Sequence, residues 1–84
     1  MKNKIVAPIV KAAAGLAGVS RQELTVAMGL SQPQAVTNKY GRDSFTAQDL
    51  IKIGSVCGYR LAFVDSNGKT VLTFPEFKPD VEIE

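Results

Sequence analysis

The sequence predicts a mainly α fold with a small β element, four short helices followed by a β-hairpin. Three observations predict it. Ser20 with Glu23, Ser31 with Gln34 and Thr46 with Asp49 each form a capping box ahead of an apolar run, the hydroxyl accepting from an orphan amide of the first turn while the acid or amide reaches back. Gly18, Gly29 and Gly58 stand where helical runs stop, positions that favour a left-handed residue. After Gly58 the apolar period drops from about 3.6 to about 2.

Ile5, Ile9, Val10, Ala13, Leu16 and Ala17 keep helical spacing, so the first helix is expected over residues 5–17, with Pro8 tolerated in its first turn. The second is expected over residues 21–28, entered through a Val19/Leu24 staple, and the third over about 32–40, entered through Leu30/Ala35. A polar loop, Gly41-Arg-Asp-Ser, precedes the fourth, where Thr46 caps, Asp49 favours the positive end of the dipole and Phe45 staples to Leu50. Its apolar stripe is Leu50, Ile53, Val56 and Cys57. Residues 59–65 and 69–74 then flank Asn67-Gly68, the pair preferred in a two-residue type I′ hairpin. That loop pairs Ser66 with Lys69, Phe63 with Leu72 and Leu61 with Phe74. One face is then Leu61, Phe63, Leu72 and Phe74, and the other Ala62, Val64, Val71 and Thr73. Both are largely apolar, and a lone two-stranded ribbon is marginal in water. One face is therefore expected on the helices and the other, or an edge, against a second subunit, with Ala62, Val64, Val71 and Thr73 as the expected contacts.

A chain of 84 residues holds one modest core and commonly needs a metal, disulfides or a partner. One cysteine and no histidine exclude a disulfide framework or a Cys/His zinc site within one chain, leaving oligomerisation as the expected source of further buried area. No cofactor or metal is expected. No run approaches a membrane span, and the apolar start is interrupted by Pro8 and Lys11, so a soluble, cytoplasmic protein is expected. Net charge is only +2, but residues 1–74 carry nine Lys and Arg against four acids, and the last ten carry one Lys against four acids. A basic body with an acidic end suits a nucleic-acid partner. Residues 1–74 are expected as the domain and 75–84 as a flexible acidic tail.

Two short helices meeting at a glycine corner outline a helix-turn-helix, which makes duplex DNA the leading partner. Gln22-Glu-Leu24 ahead of Met28-Gly-Leu-Ser31, then Val36-Thr-Asn-Lys-Tyr40, Phe45-Thr-Ala-Gln-Asp-Leu50 and Cys57-Gly-Tyr59, resemble the Cro/XRE-type helix-turn-helix transcriptional regulators. The likeness is to small forms from bacteria and their phages with a β-hairpin after the bundle, and it covers residues 5–74. It implies a four-helix bundle and a sequence-specific regulator, a repressor, that binds operator DNA as a homodimer with the third helix in the major groove. Two positions depart from the family pattern. Thr25 replaces the usual Ala of the second helix, and Ala35 and Asn38 replace apolar anchors of the third, with Val36 and Tyr40 forming an apolar i,i+4 pair as if the turn were one residue longer.

If Val36 and Tyr40 face the core, a 100° step per residue sets Gln34, Asn38 and Gly41 opposite, flanked by Ala35 and Thr37. Gln and Asn bond adenine bidentately and a Thr methyl meets the thymine methyl, so Gln32, Gln34 and Asn38, with Thr37 secondary, are the expected base readers. Arg21 and Gln22 at the start of the second helix, with Lys39 and Arg42 beside the third, are the expected phosphate contacts. Catalysis is not expected: there is no His, no glycine-rich phosphate loop, and Cys57 lies on an apolar stripe. The rival is a protein-binding adaptor, antitoxin or inhibitor, with the acidic, Phe77-containing tail docked on a partner or folded back on the basic face.

Overall fold

A computed structural model describes residues 4–77. It contains α1 (Val6–Ala17), α2 (Arg21–Ala27), α3 (Pro33–Arg42), α4 (Ala47–Cys57) and an antiparallel hairpin of β1 (Ala62–Val64) and β2 (Thr70–Thr73). The protein is mainly α with a small β element.

Two of the three capping boxes form as spaced. Ser20 Oγ accepts from the Glu23 amide at 3.1 Å while Glu23 accepts from the Ser20 amide at 2.8 Å. Thr46 and Asp49 repeat the exchange at 3.0 and 3.1 Å. The expected box of Ser31 and Gln34 does not form. Pro33 forces its predecessor out of the helical region, so Gln32 is extended (φ −146°, ψ 147°) and becomes the N-cap without a side-chain bond. The helix starts one residue late, and the turn after α2 lengthens accordingly.

Val10, Ala14, Leu24, Met28, Val36 and Ile53 form the core, with Val19, Leu30, Tyr40, Phe45, Leu50 and Cys57 packed around it. Helix α2 packs on both α3 and α4, and α1 on α4 and α3. Val36 is wholly buried, and with Tyr40 it anchors α3 as the i,i+4 pair expected of a longer turn. Thr25 is buried too, and its hydroxyl donates to the Arg21 carbonyl at 2.8 Å. The polar atom is buried without being orphaned.

Helix α1 has no cap of its own. Asp43 supplies one from across the fold, accepting from the Ile5 amide at 3.0 Å, Val6 at 3.0 Å and Ala7 at 2.6 Å. It does so from the left-handed region at φ 55°, where Asp is one of the few side chains tolerated. The amides of Ile5, Ala7 and Val6, with Lys4 nearby, hold its carboxyl below the usual carboxylate range. A lowered native value means the contribution is complete above about pH 4, the unfolded value, and is lost as pH falls through the native one. Asp43→Ala should therefore lower the urea midpoint at neutral pH and converge on wild type in strong acid; a constant gap between the two across the acid limb would contradict the cap.

Glycines supply a matched pair. At Gly15, inside α1, an added Cβ meets nothing within 4 Å, whereas at Gly54 it would lie 2.9 Å from the Tyr59 carbonyl oxygen, where the chain folds back and the Tyr59 amide donates to the Gly54 carbonyl at 2.7 Å. Gly15→Ala should stabilise by about 0.5–1 kcal/mol from helix propensity. Gly54→Ala should destabilise instead, and urea midpoints moving in opposite directions would establish it.

The hairpin differs most from expectation. Ala62 faces Thr73 and Phe63 faces Leu72 as predicted, but Val64 then faces Thr70 across a bulge that skips Val71. The expected Ala62/Val64/Val71/Thr73 face is therefore broken at Val71. Only Gly68 of the Asn67-Gly68 pair has positive φ, which excludes type I′. Asp65 is the reason: its Oδ1 accepts from the Asn67 and Lys69 amides at 2.9 and 3.0 Å, pinning a longer loop. Neither strand packs on a helix. Phe63, Val64, Val71 and Leu72 are 62, 58, 59 and 66% exposed, so of the expected helix-facing side only Leu61 and Phe74 are half-buried. The ribbon projects as an arm because its attachments lie beyond the strands. The Phe77 amide donates to Ser55 Oγ at 2.8 Å, and Lys52 Nζ lies 5.1 Å over the Phe77 ring. Thus Phe77 of the expected tail lies on α4, and Glu76 lies 3.7 Å from Arg60; residues 78–84 fall outside those described.

Candidate nucleic-acid interface

Burial of Val36 and Tyr40 fixes the rotation of α3 and turns Gln34 and Asn38 outward, both exposed, with Gln32 exposed at the cap. Gln34 Nε2 donates to Asn38 Oδ1 at 3.2 Å. The two amides are one ordered unit, leaving the Gln34 carbonyl and the Asn38 amino group free for a partner. Thr37 flanks this face, half-buried, with its hydroxyl oxygen buried and without a hydrogen-bond partner.

The expected phosphate contacts divide. Arg21 and Gln22 are exposed at the start of α2, and Arg42 is exposed at the end of α3. Lys39 is withdrawn: its ammonium lies 3.0 Å from Asp49 Oδ2, a half-buried pair that ties α3 to the start of α4. Burial pushes the Asp49 carboxyl up, and the Thr46 amide with Lys39 outweighs it and holds the group below its ordinary value. The i,i+10 spacing of Lys39 and Asp49 carries no helical periodicity, which hid the pair.

Sequence reading also missed a basic cleft on one flank of α3. Lys4, Lys11, Arg21, Thr37, Tyr40 and Gly41 line a volume of about 460 Å³. Lys11 Nζ lies 5.2 Å over the Tyr40 ring. Burial raises the Tyr40 phenol, and the Arg21 charge opposes the rise. Lys4 lies ahead of α1, Lys11 within it and Arg21 on the next helix, so no helical period links the three.

Cys57 packs on the core, and burial pushes its thiol up, away from nucleophilic use. Among the described residues no cluster of His, Cys, Asp and Glu could hold a metal ion, and no helix is long and apolar enough to cross a membrane. No protein family, curated protein or solved structure matches this chain.

Proposed function

We propose that this protein is a sequence-specific, double-stranded-DNA-binding regulator, a repressor of the Cro/XRE-like helix-turn-helix type, that acts as a homodimer with α3 in the major groove. The observation that carries this reading is the open amide pair of Gln34 and Asn38 on a helix whose rotation is set by Val36 and Tyr40. Such amides match the donor and acceptor pattern of adenine in the major groove. Gln32 reads beside them, and Arg21, Gln22 and Arg42 hold the backbone.

A second copy is the natural cover for the arm. An isolated hairpin with two open edges and apolar faces is marginal alone, and a two-fold pairing buries both copies' Phe63 and Leu72. Two such domains read half-sites about 34 Å apart. Withdrawal of Lys39 favours one rival, in which the same α3 face and arm engage a protein.

Titration of mixed genomic duplex into the protein at several salt concentrations separates the two. Four guanidinium groups, Arg21 and Arg42 of each protomer, give a log–log salt slope of about −3 to −4. Absence of duplex binding at low salt would sink the DNA reading.

A further inference from the structure

The cleft beside α3 gathers three cations around one space. Lys4 precedes α1, Lys11 lies on α1 and Arg21 opens α2, and among the described residues no carboxylate lines the space between them. None of the three cations forms an ion pair among the described residues. Asp43, the carboxylate near Lys4, already has both oxygens on the amides of α1. Thr37 Oγ1 is buried without a hydrogen-bond partner, the one such side-chain atom among the described residues. A helical Thr ordinarily bonds the carbonyl one turn back, as Thr25 does here. Gly41, lacking a side chain, leaves the neighbouring wall open, with nothing within 4 Å of where a Cβ would stand.

Three cations lining one space, with only the Tyr40 ring opposite Lys11, favour an anion there, and their N–H donors suit a ligand rich in acceptor oxygens. We propose that the cleft seats a phosphate group, with the Arg21 fork on two of its oxygens, the Lys4 and Lys11 ammonium groups beside it and the Thr37 hydroxyl turning about χ1 from its buried position to donate to it. The phosphate comes either from the backbone of a duplex whose groove holds α3 or from a free phosphate. The first source rests on the DNA-binding reading; the second does not.

Inorganic phosphate is titrated at constant ionic strength against chloride, with the Thr37 and Gly41 amides followed by NMR, and a mixed duplex is titrated over a salt series. Wild type, the double variant Lys11→Gln/Arg21→Gln and Thr37→Val are compared, each checked for helix content and melting. Saturable phosphate shifts that vanish in the double variant support the site with a free ligand. A duplex salt slope smaller by about 0.9 for each backbone phosphate that the variant no longer neutralises supports the backbone source. Thr37→Val serves where the double variant fails to fold: it keeps the shape, removes the orphaned hydroxyl and should leave stability unchanged or raised while weakening phosphate. Unchanged phosphate shifts and unchanged salt slopes in every folded variant overturn the proposal, and wild-type duplex binding would still stand on α3. Phosphate saturation without any duplex binding leaves the cleft standing and removes the DNA reading.

Discussion

Leu24→Ala is expected to destabilise the fold by about 2–5 kcal/mol, the range for truncating a buried leucine in a core that cannot fully collapse. Leu24 is 2% exposed and lies on α2, the helix that packs against both α3 and α4. A chain of this size has about 0.05–0.15 kcal/mol of stability per residue, so one truncation removes a large share of the total. Leu16→Ala is the contrast. Leu16 is on α1 and 82% exposed, so its truncation should fall within about 0.5 kcal/mol of wild type. Urea unfolding reads both. A loss under about 1 kcal/mol at Leu24 would mean that α2 is not the keystone of this bundle. The functional consequence is direct, because Val36, which orients α3, sits in the same apolar cluster.

What was legible in the sequence was local. The boxes of Ser20 and Thr46 span three residues, and the left-handed stops at Gly18, Gly29 and Gly58 depend on their own backbone. Pro33 shows how one local rule overrides another: Ser31 and Gln34 have the right spacing, yet the ring between them dictates an extended Gln32. Asp43 was read as a turn residue because its partners lie 36 to 38 positions away, where no pattern in a single chain points. The hairpin divided in the same way. Alternation set the pairs nearest the helices, while Asp65, by gripping two amides of the loop, shifted the register at the far end.

Legibility of the candidate site followed the same boundary. Rotation of α3 was readable because Val36 and Tyr40 are one helical turn apart on a single element. The state of Lys39 was not, since its charge is spent on a carboxylate of the next helix. Thr37 was placed on the open face by its helical angle alone, and only the position of α1 and α2 beside it makes that flank a cleft. Charge distribution pointed to a basic body without locating the cations, because tertiary packing decides which of them converge.

Asn38→Ala is expected to lose about 1–3 kcal/mol per protomer on the preferred duplex, about 2–6 kcal/mol for a homodimer, with little change on random duplex. Arg42→Ala should behave differently, weakening both duplexes alike and lowering the salt slope by about 0.9 per protomer. Lys39→Ala should change stability rather than the slope, since its ammonium already serves Asp49. Gln34 adds a sharper test, because its Nε2 donates to Asn38 Oδ1 and thereby fixes which groups of the pair stay open. Once Gln34 is truncated Asn38 is free to turn, so the second truncation should cost less than it does alone, and the double-mutant cycle should show coupling of at least about 0.5 kcal/mol. Anisotropy titrations of the four proteins on cognate and random duplex measure every term. Equal losses on the two duplexes, or strict additivity within the cycle, would mean that the amide pair is only a solvated face of α3 and that any sequence preference originates elsewhere.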